Sequence, residues 1–160
     1  SGRAALARVL AALDTGQPFA EALDDVASIT ATTPPEVLSR LAAEGAPTLT
    51  RLQETFPAAA RAALDASLRA AVKDGSMNRF TAFLRTQLGT RSLEPKEGDD
   101  PDAILSRAED ALRKGRIDAA LDELDAMPEA ARPALADWRT MAETRLAALN
   151  AGAELADALK

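Results

Sequence analysis

The 160-residue chain contains no cysteine, no histidine and no tyrosine. Without cysteine there are no disulfides and no thiolate metal ligands, and the redox compartment stays open. Without histidine the commonest general base and the commonest metal ligand are both missing, and without tyrosine a common acid goes too. Serine and threonine are present, but no His and no convincing Ser/Lys pair activates one as a nucleophile. Aromatics are only 3% of the chain, four Phe and a single Trp, so Leu, Val and above all Ala must fill the interior. Positive charge is in the minority: the formal net charge is −6, whereas a duplex nucleic-acid binder needs a basic face. No apolar run approaches the roughly 18 residues of a bilayer-spanning helix. These absences argue against an enzyme, a cofactor, a metal centre and a nucleic-acid partner.

What remains is 47% hydrophobic and rich in alanine, a composition that favours helix. The best-signalled stretch is Gly98–Pro128. Asp100 stands as an N-cap and Pro101 at the first helical position, where a missing N–H costs nothing. Ile104, Leu105, Ala108, Ala111 and Leu112 recur at helical spacing until Gly115. Ile117, Ala120, Leu121 and Leu124 form a second stripe that ends at Met127-Pro128. A turn this short makes the pair antiparallel.

Upstream, Arg3–Asp14 carries Leu6, Val9, Leu10 and Leu13 and stops at Gly16, and Pro18 opens a helix with Phe19, Ala22, Leu23 and Val26 inward. Leu13-x-x-Gly16 echoes Leu112-x-x-Gly115, and Ala22-Leu23 echoes Ala120-Leu121. The pairs resemble tetratricopeptide-like hairpins, without the adjacent fixed-period copies of a solenoid. Thr33-Pro34-Pro35-Glu36 reads as a capping box launching Val37, Leu38, Leu41 and Ala42. Thr48 starts a short helix with Leu49, Leu52 and Phe56. Pro57 starts a longer one in which Ala60, Leu64, Leu68, Ala71 and Val72 keep helical spacing up to Gly75. The last helix carries Leu135, Trp138, Ala142, Leu146 and Leu149, then Ala153, Ala156 and Leu159, with Trp138 expected in the groove of the 104–124 hairpin. The fold predicted is all-α, a bundle of about seven to nine short helices built from antiparallel hairpins, with no sheet. Residues 1–2 read as a cloning remnant, 3–88 as an N-terminal helical part, 89–99 as a polar connector and 100–160 as a C-terminal three-helix part. A connector of this kind would let the last helices exchange onto a neighbouring molecule.

Charge is uneven. Between Pro57 and Arg91, six cations (Arg61, Arg69, Lys73, Arg79, Arg85, Arg91) face two anions, Asp65 and Asp74. Within this stretch, residues 76–88 place Met77, Phe80, Phe83, Leu84 and Leu88 within an arc of about 140°. Such a basic amphipathic helix can lie in a membrane interface, but the pattern alone favours a core helix with a solvated arginine face. Glu97, Asp99, Asp100 and Asp102 cluster but lack the ligand order of a calcium loop, so capping explains Asp100 and solvent exposure the rest. Asp118, Asp122 and Asp125 form a solvated stripe. Lys114-Gly115-Arg116 is a helix-end cation cluster rather than a phosphate loop.

Several of these motifs coincide with a known family. Gly98-Asp-Asp-Pro-Asp-Ala-Ile-Leu-Ser-Arg-Ala-Glu109, then Ala111-Leu112-x-x-Gly115-Arg-x-x-x-Ala120-Leu121-x-Glu123-Leu124 and Met127-Pro128, resemble the C-terminal region of mitofilin, the crista-junction protein of mitochondria, in the form seen in its alphaproteobacterial relatives. Trp138…Ala142…Arg145-Leu146-Ala-Ala fits the same pattern, as does Glu44-Gly45-Ala46-Pro47-Thr48-x-x-x-Leu52-x-x-x-Phe56, although Glu54-Thr55 replaces the arginine usual before the aromatic. The resemblance implies a non-enzymatic, membrane-shaping scaffold domain on the periplasmic face of a bacterial inner membrane. The whole protein would be membrane-anchored and this part soluble. It implies an amphipathic lipid-binding helix, self-association as a dimer or higher oligomer, and outer-membrane or periplasmic protein partners. The surface expected to meet an anionic membrane is Met77, Arg79, Phe80, Phe83, Leu84, Arg85, Leu88 and Arg91, with a secondary candidate at Arg3, Leu6, Arg8, Val9 and Leu10. The rival expectation is a helical protein-binding adaptor without lipid contact, told apart by burial of the 76–88 apolar face.

Overall fold

A computed structural model describes residues 1–74 and 98–160. The described residues form seven α-helices and one 3₁₀ turn, with no strand among them. The protein is all-α. The helices are α1 (Gly2–Thr15), α2 (Ala20–Thr30), α3 (Glu36–Leu41), α4 (Leu49–Asp74), α5 (Pro101–Arg113), α6 (Ile117–Leu124) and α7 (Arg132–Ala158), with the 3₁₀ turn at Glu129–Ala131. They divide into two compact units, one formed by Ser1–Arg51 with Met141–Lys160 and the other by Leu52–Thr140. Neither coincides with 3–88 or 100–160, and the expected connector lies, but for Gly98 and Asp99, outside the described residues.

The first unit is a hairpin closed over by α3 and the end of α7. Ser1 Oγ accepts from the Ala4 N–H at 3.3 Å, and α1 ends at Gly16, left-handed at φ 77°, whose N–H donates to Ala12 O at 2.9 Å. Only glycine adopts that conformation without strain. Ala5, Val9, Ala12 and Leu13 of α1 meet Phe19, Ala22, Leu23 and Val26, with Leu38 and Ala42 beyond. The Phe19 N–H donates to Ala42 O at 2.8 Å and ties the second helix to the third. The capping box does not form. Pro35 is the cap residue, with ψ 139° and no side-chain bond, and the helix begins at Glu36. A residue before proline is pushed out of the helical region, which accounts for Thr33 and Pro34 lying outside the helix. Helix α2 ends at Ala31, the one non-glycine with positive φ (53°) among the described residues. Relieving that strain while adding chain entropy predicts that Ala31→Gly raises unfolding free energy by about 0.5 kcal/mol, read from the urea midpoint.

The second unit corrects an expectation. Pro57 does not start a helix; it lies inside the 26-residue α4. Thr48 Oγ1 caps its start, accepting from the Arg51 N–H at 3.1 Å. Buried Leu52, Phe56, Ala60, Ala63, Ser67 and Ala71 keep one phase across Pro57, so a single buried seam outweighs the one backbone bond that proline removes. That phase turns Leu64 and Leu68 to the half-buried flank and leaves Val72 49% exposed, although their spacing groups them with Ala60 and Ala71. Helix α5 is the most enclosed: Asp102, Ala103, Ile104, Leu105 and Ser106 are all buried in succession, as in a helix with neighbours on every side. Its end is a Schellman turn in which Arg116 N–H donates to Ala111 O at 2.8 Å and Gly115 N–H to Leu112 O at 3.0 Å. Gln53 Nε2 adds a third donor to this helix end, 2.8 Å from Leu112 O. Ile117, Ala120, Leu121 and Leu124 of α6 are buried as expected.

Candidate functional site

The primary candidate surface, Met77, Arg79, Phe80, Phe83, Leu84, Arg85, Leu88 and Arg91, lies outside the described residues. The helix that leads into it is described. Arg61, Arg69 and Lys73 of α4 are all exposed, and Arg69 meets Asp65 at 3.1 Å in a pair that is itself well solvated, an arrangement that adds little to stability. Beside them run Leu64, Leu68 and Val72, grading from half-buried to exposed.

The secondary surface on α1 is divided by the fold. Val9 has no exposed surface, so it reaches no membrane while the unit is folded, and Leu6 is partly buried against the same core. Arg3 is exposed. Arg8 pairs with Asp25 of α2. Leu10 is 36% exposed, with a Cβ at Gly152 falling 3.1 Å from its Cδ2. Of the apolar stripe of α1, Val9 and Leu13 thus belong to the hairpin core, Leu6 packs at its edge and Leu10 faces outward.

The acidic residues separate in the same way. Asp99 and Asp100 are exposed, whereas Asp102 is fully buried in the first turn of α5, which corrects the expectation of solvent exposure; a carboxylate there suits the positive end of the helix dipole. Asp118, Asp122 and Asp125 are exposed, and Asp125 pairs with Arg139 at 2.7 Å. Among the described residues no group of three or more acidic side chains is gathered as a metal site. Lys114 Nζ donates to Asp110 at 2.8 Å and, with help from Arg113, holds that carboxyl below its ordinary range against the opposing effect of desolvation. A lowered pKa stabilises the fold above the carboxylate's unfolded value and is lost as pH falls through the folded one.

Trp138 keys to α4. Its indole N–H donates to Leu52 O at 3.1 Å, and its ring meets Phe56 edge-on, centroids 4.9 Å apart at 66°. Stacking on a ligand would need an exposed ring face, and Trp138 is 4% exposed. Trp138→Phe keeps the ring contact but takes one donor from Leu52 O, which still accepts from Thr55 Oγ1 at 3.5 Å, and is expected to cost about 0.5–1.5 kcal/mol in a denaturant titration.

Arg145, which the sequence offers only as part of the Trp138…Leu146 motif, proves to be a buried joint. It is 7% exposed, and Nη1 donates to Leu13 O at 3.0 Å and Pro47 O at 2.9 Å, while Nη2 reaches Asp14 Oδ1 at 3.5 Å. One guanidinium therefore holds the last turn of α1, the turn before α4 and the second half of α7. Nearby, Gly45 has φ 94°, and a Cβ on it would stand 2.2 Å from Gly16 O. The segment 44–48 and Arg145, far apart in the chain, are thus joined in one knot. The periodicity was available: residue 145 continues the 135, 138, 142 seam, whose buried members continue as Ala148, Ala151 and Leu155. Following the leucines instead points to Leu149, Ala153 and Ala156, of which Ala153 is exposed and the others half-buried. No family model, curated protein or solved structure matches the chain.

Proposed function

We propose that this chain is a non-enzymatic, membrane-shaping scaffold domain of the mitofilin kind, acting at the periplasmic face of a bacterial inner membrane and self-associating there. The observation that carries the reading is the outward presentation of Arg61, Arg69 and Lys73 on α4, immediately before the sequence that supplies Arg79, Arg85 and Arg91 together with Phe80 and Phe83. Cations so placed meet anionic headgroups, and shallow entry of an apolar face expands one leaflet. Two further observations support it. The family-like segments 44–48 and 138–146 converge on one knot through Arg145, and Val9 and Leu13 of the α1 stripe are taken up by the core, which favours the basic stretch over α1 as the surface to test. Among the described residues no helix is long and apolar enough to cross a membrane, so the contact proposed is peripheral.

The test is co-sedimentation with anionic and neutral vesicles at low and high salt. Arg61→Gln, Arg69→Gln and Lys73→Gln together alter only exposed side chains, so the variant is expected to fold, with circular dichroism as the check. At roughly 1 kcal/mol per cation near the surface, binding to anionic vesicles should fall about a hundredfold. A companion variant, Phe80→Ser with Phe83→Ser, probes the apolar part. Binding that ignores salt and all these changes would sink the membrane reading, and a wild-type chain that binds neither vesicle would favour the protein-binding adaptor.

A further inference from the structure

We draw no further inference here: the strongest candidate, the outer flank of α4 where half-buried Leu64 and Leu68 lead to exposed Val72 beside Arg61, already belongs to the membrane face proposed above, and nothing in the structure shows what else covers it.

Discussion

A Gly45→Ala variant is expected to lose about 4 kcal/mol of unfolding free energy, the upper end of what one substitution does. Two costs combine. At φ 94° any side chain is strained, a penalty of about 1–2 kcal/mol. The larger cost is steric, because the new Cβ would lie 2.2 Å from Gly16 O and 2.9 Å from its carbonyl carbon. Those atoms are backbone and cannot swing away, so the turn between α1 and α2 has to move, together with the Gly45 N–H bond to Leu41 O at 2.7 Å. Gly16→Ala is the control. It also has positive φ, but its one close contact would be a side-chain methyl, Thr48 Cγ2, at 2.8 Å, with Ala46 O at an ordinary 3.6 Å; yielding there strains no backbone and at most loosens the Thr48 cap of α4. About 1–2 kcal/mol is expected there. Chemical denaturation of the three proteins orders them directly. If Gly45→Ala cost no more than Gly16→Ala, the backbone contact would not be present in solution.

How far the sequence was legible depends on whether local rules or the tertiary neighbourhood decided each position. The glycines at 16 and 115 were readable because both end helices in left-handed conformations, and helix ends are set by local chemistry. The stripes of α2, α5 and α6 were readable because Leu, Ile and Val mark them. Pro57 was misread as a helix start because the local rule for proline is strong, and it lost to a seam running from Leu52 to Ala71. Along the second half of that seam the buried residues are Ala60, Ala63, Ser67 and Ala71. They are too small to outvote Leu64, Leu68 and Val72 in any count of hydrophobicity. Asp102 was unreadable for a related reason: an acidic residue in a polar run gives no sign of burial, and only its place in the most enclosed helix does. As for the candidate site, the charge of the 57–91 stretch was legible from composition, and the structure adds that its first three cations face outward.

Arg145 tests whether a buried charge can be the joint of a unit rather than a weakness in it. A guanidinium with 8% of its side chain exposed pays heavily in lost hydration. Asp14 offsets little of this, being 74% exposed and 3.5 Å away. Its Nε is moreover buried without a hydrogen-bond partner. On that side of the balance an apolar residue of similar length would do better, as buried ion pairs elsewhere show. On the other side stand the carbonyls of Leu13 and Pro47, both served by Nη1. Removing the donor leaves two backbone acceptors short of a partner, at about 1–3 kcal/mol each, and takes the cation from the negative end of α1. The carbonyls should win. Arg145→Met is expected to cost about 2–4 kcal/mol by these figures, and Arg145→Lys to rescue only part, since a strongly hydrated ammonium on a shorter, flexible stem must reach the two carbonyls that Nη1 now serves. Asp14→Asn should change stability by less than about 0.5 kcal/mol, as exposed pairs do. Hydrogen exchange locates the effect: in Arg145→Met, protection should fall together in the last turn of α1 and at the start of α4, while α5 and α6 keep theirs. A stabilised Arg145→Met protein would mean that the buried charge, not the carbonyls, sets the balance. Loss of protection across the whole chain at once would mean that the knot governs more than the unit it joins.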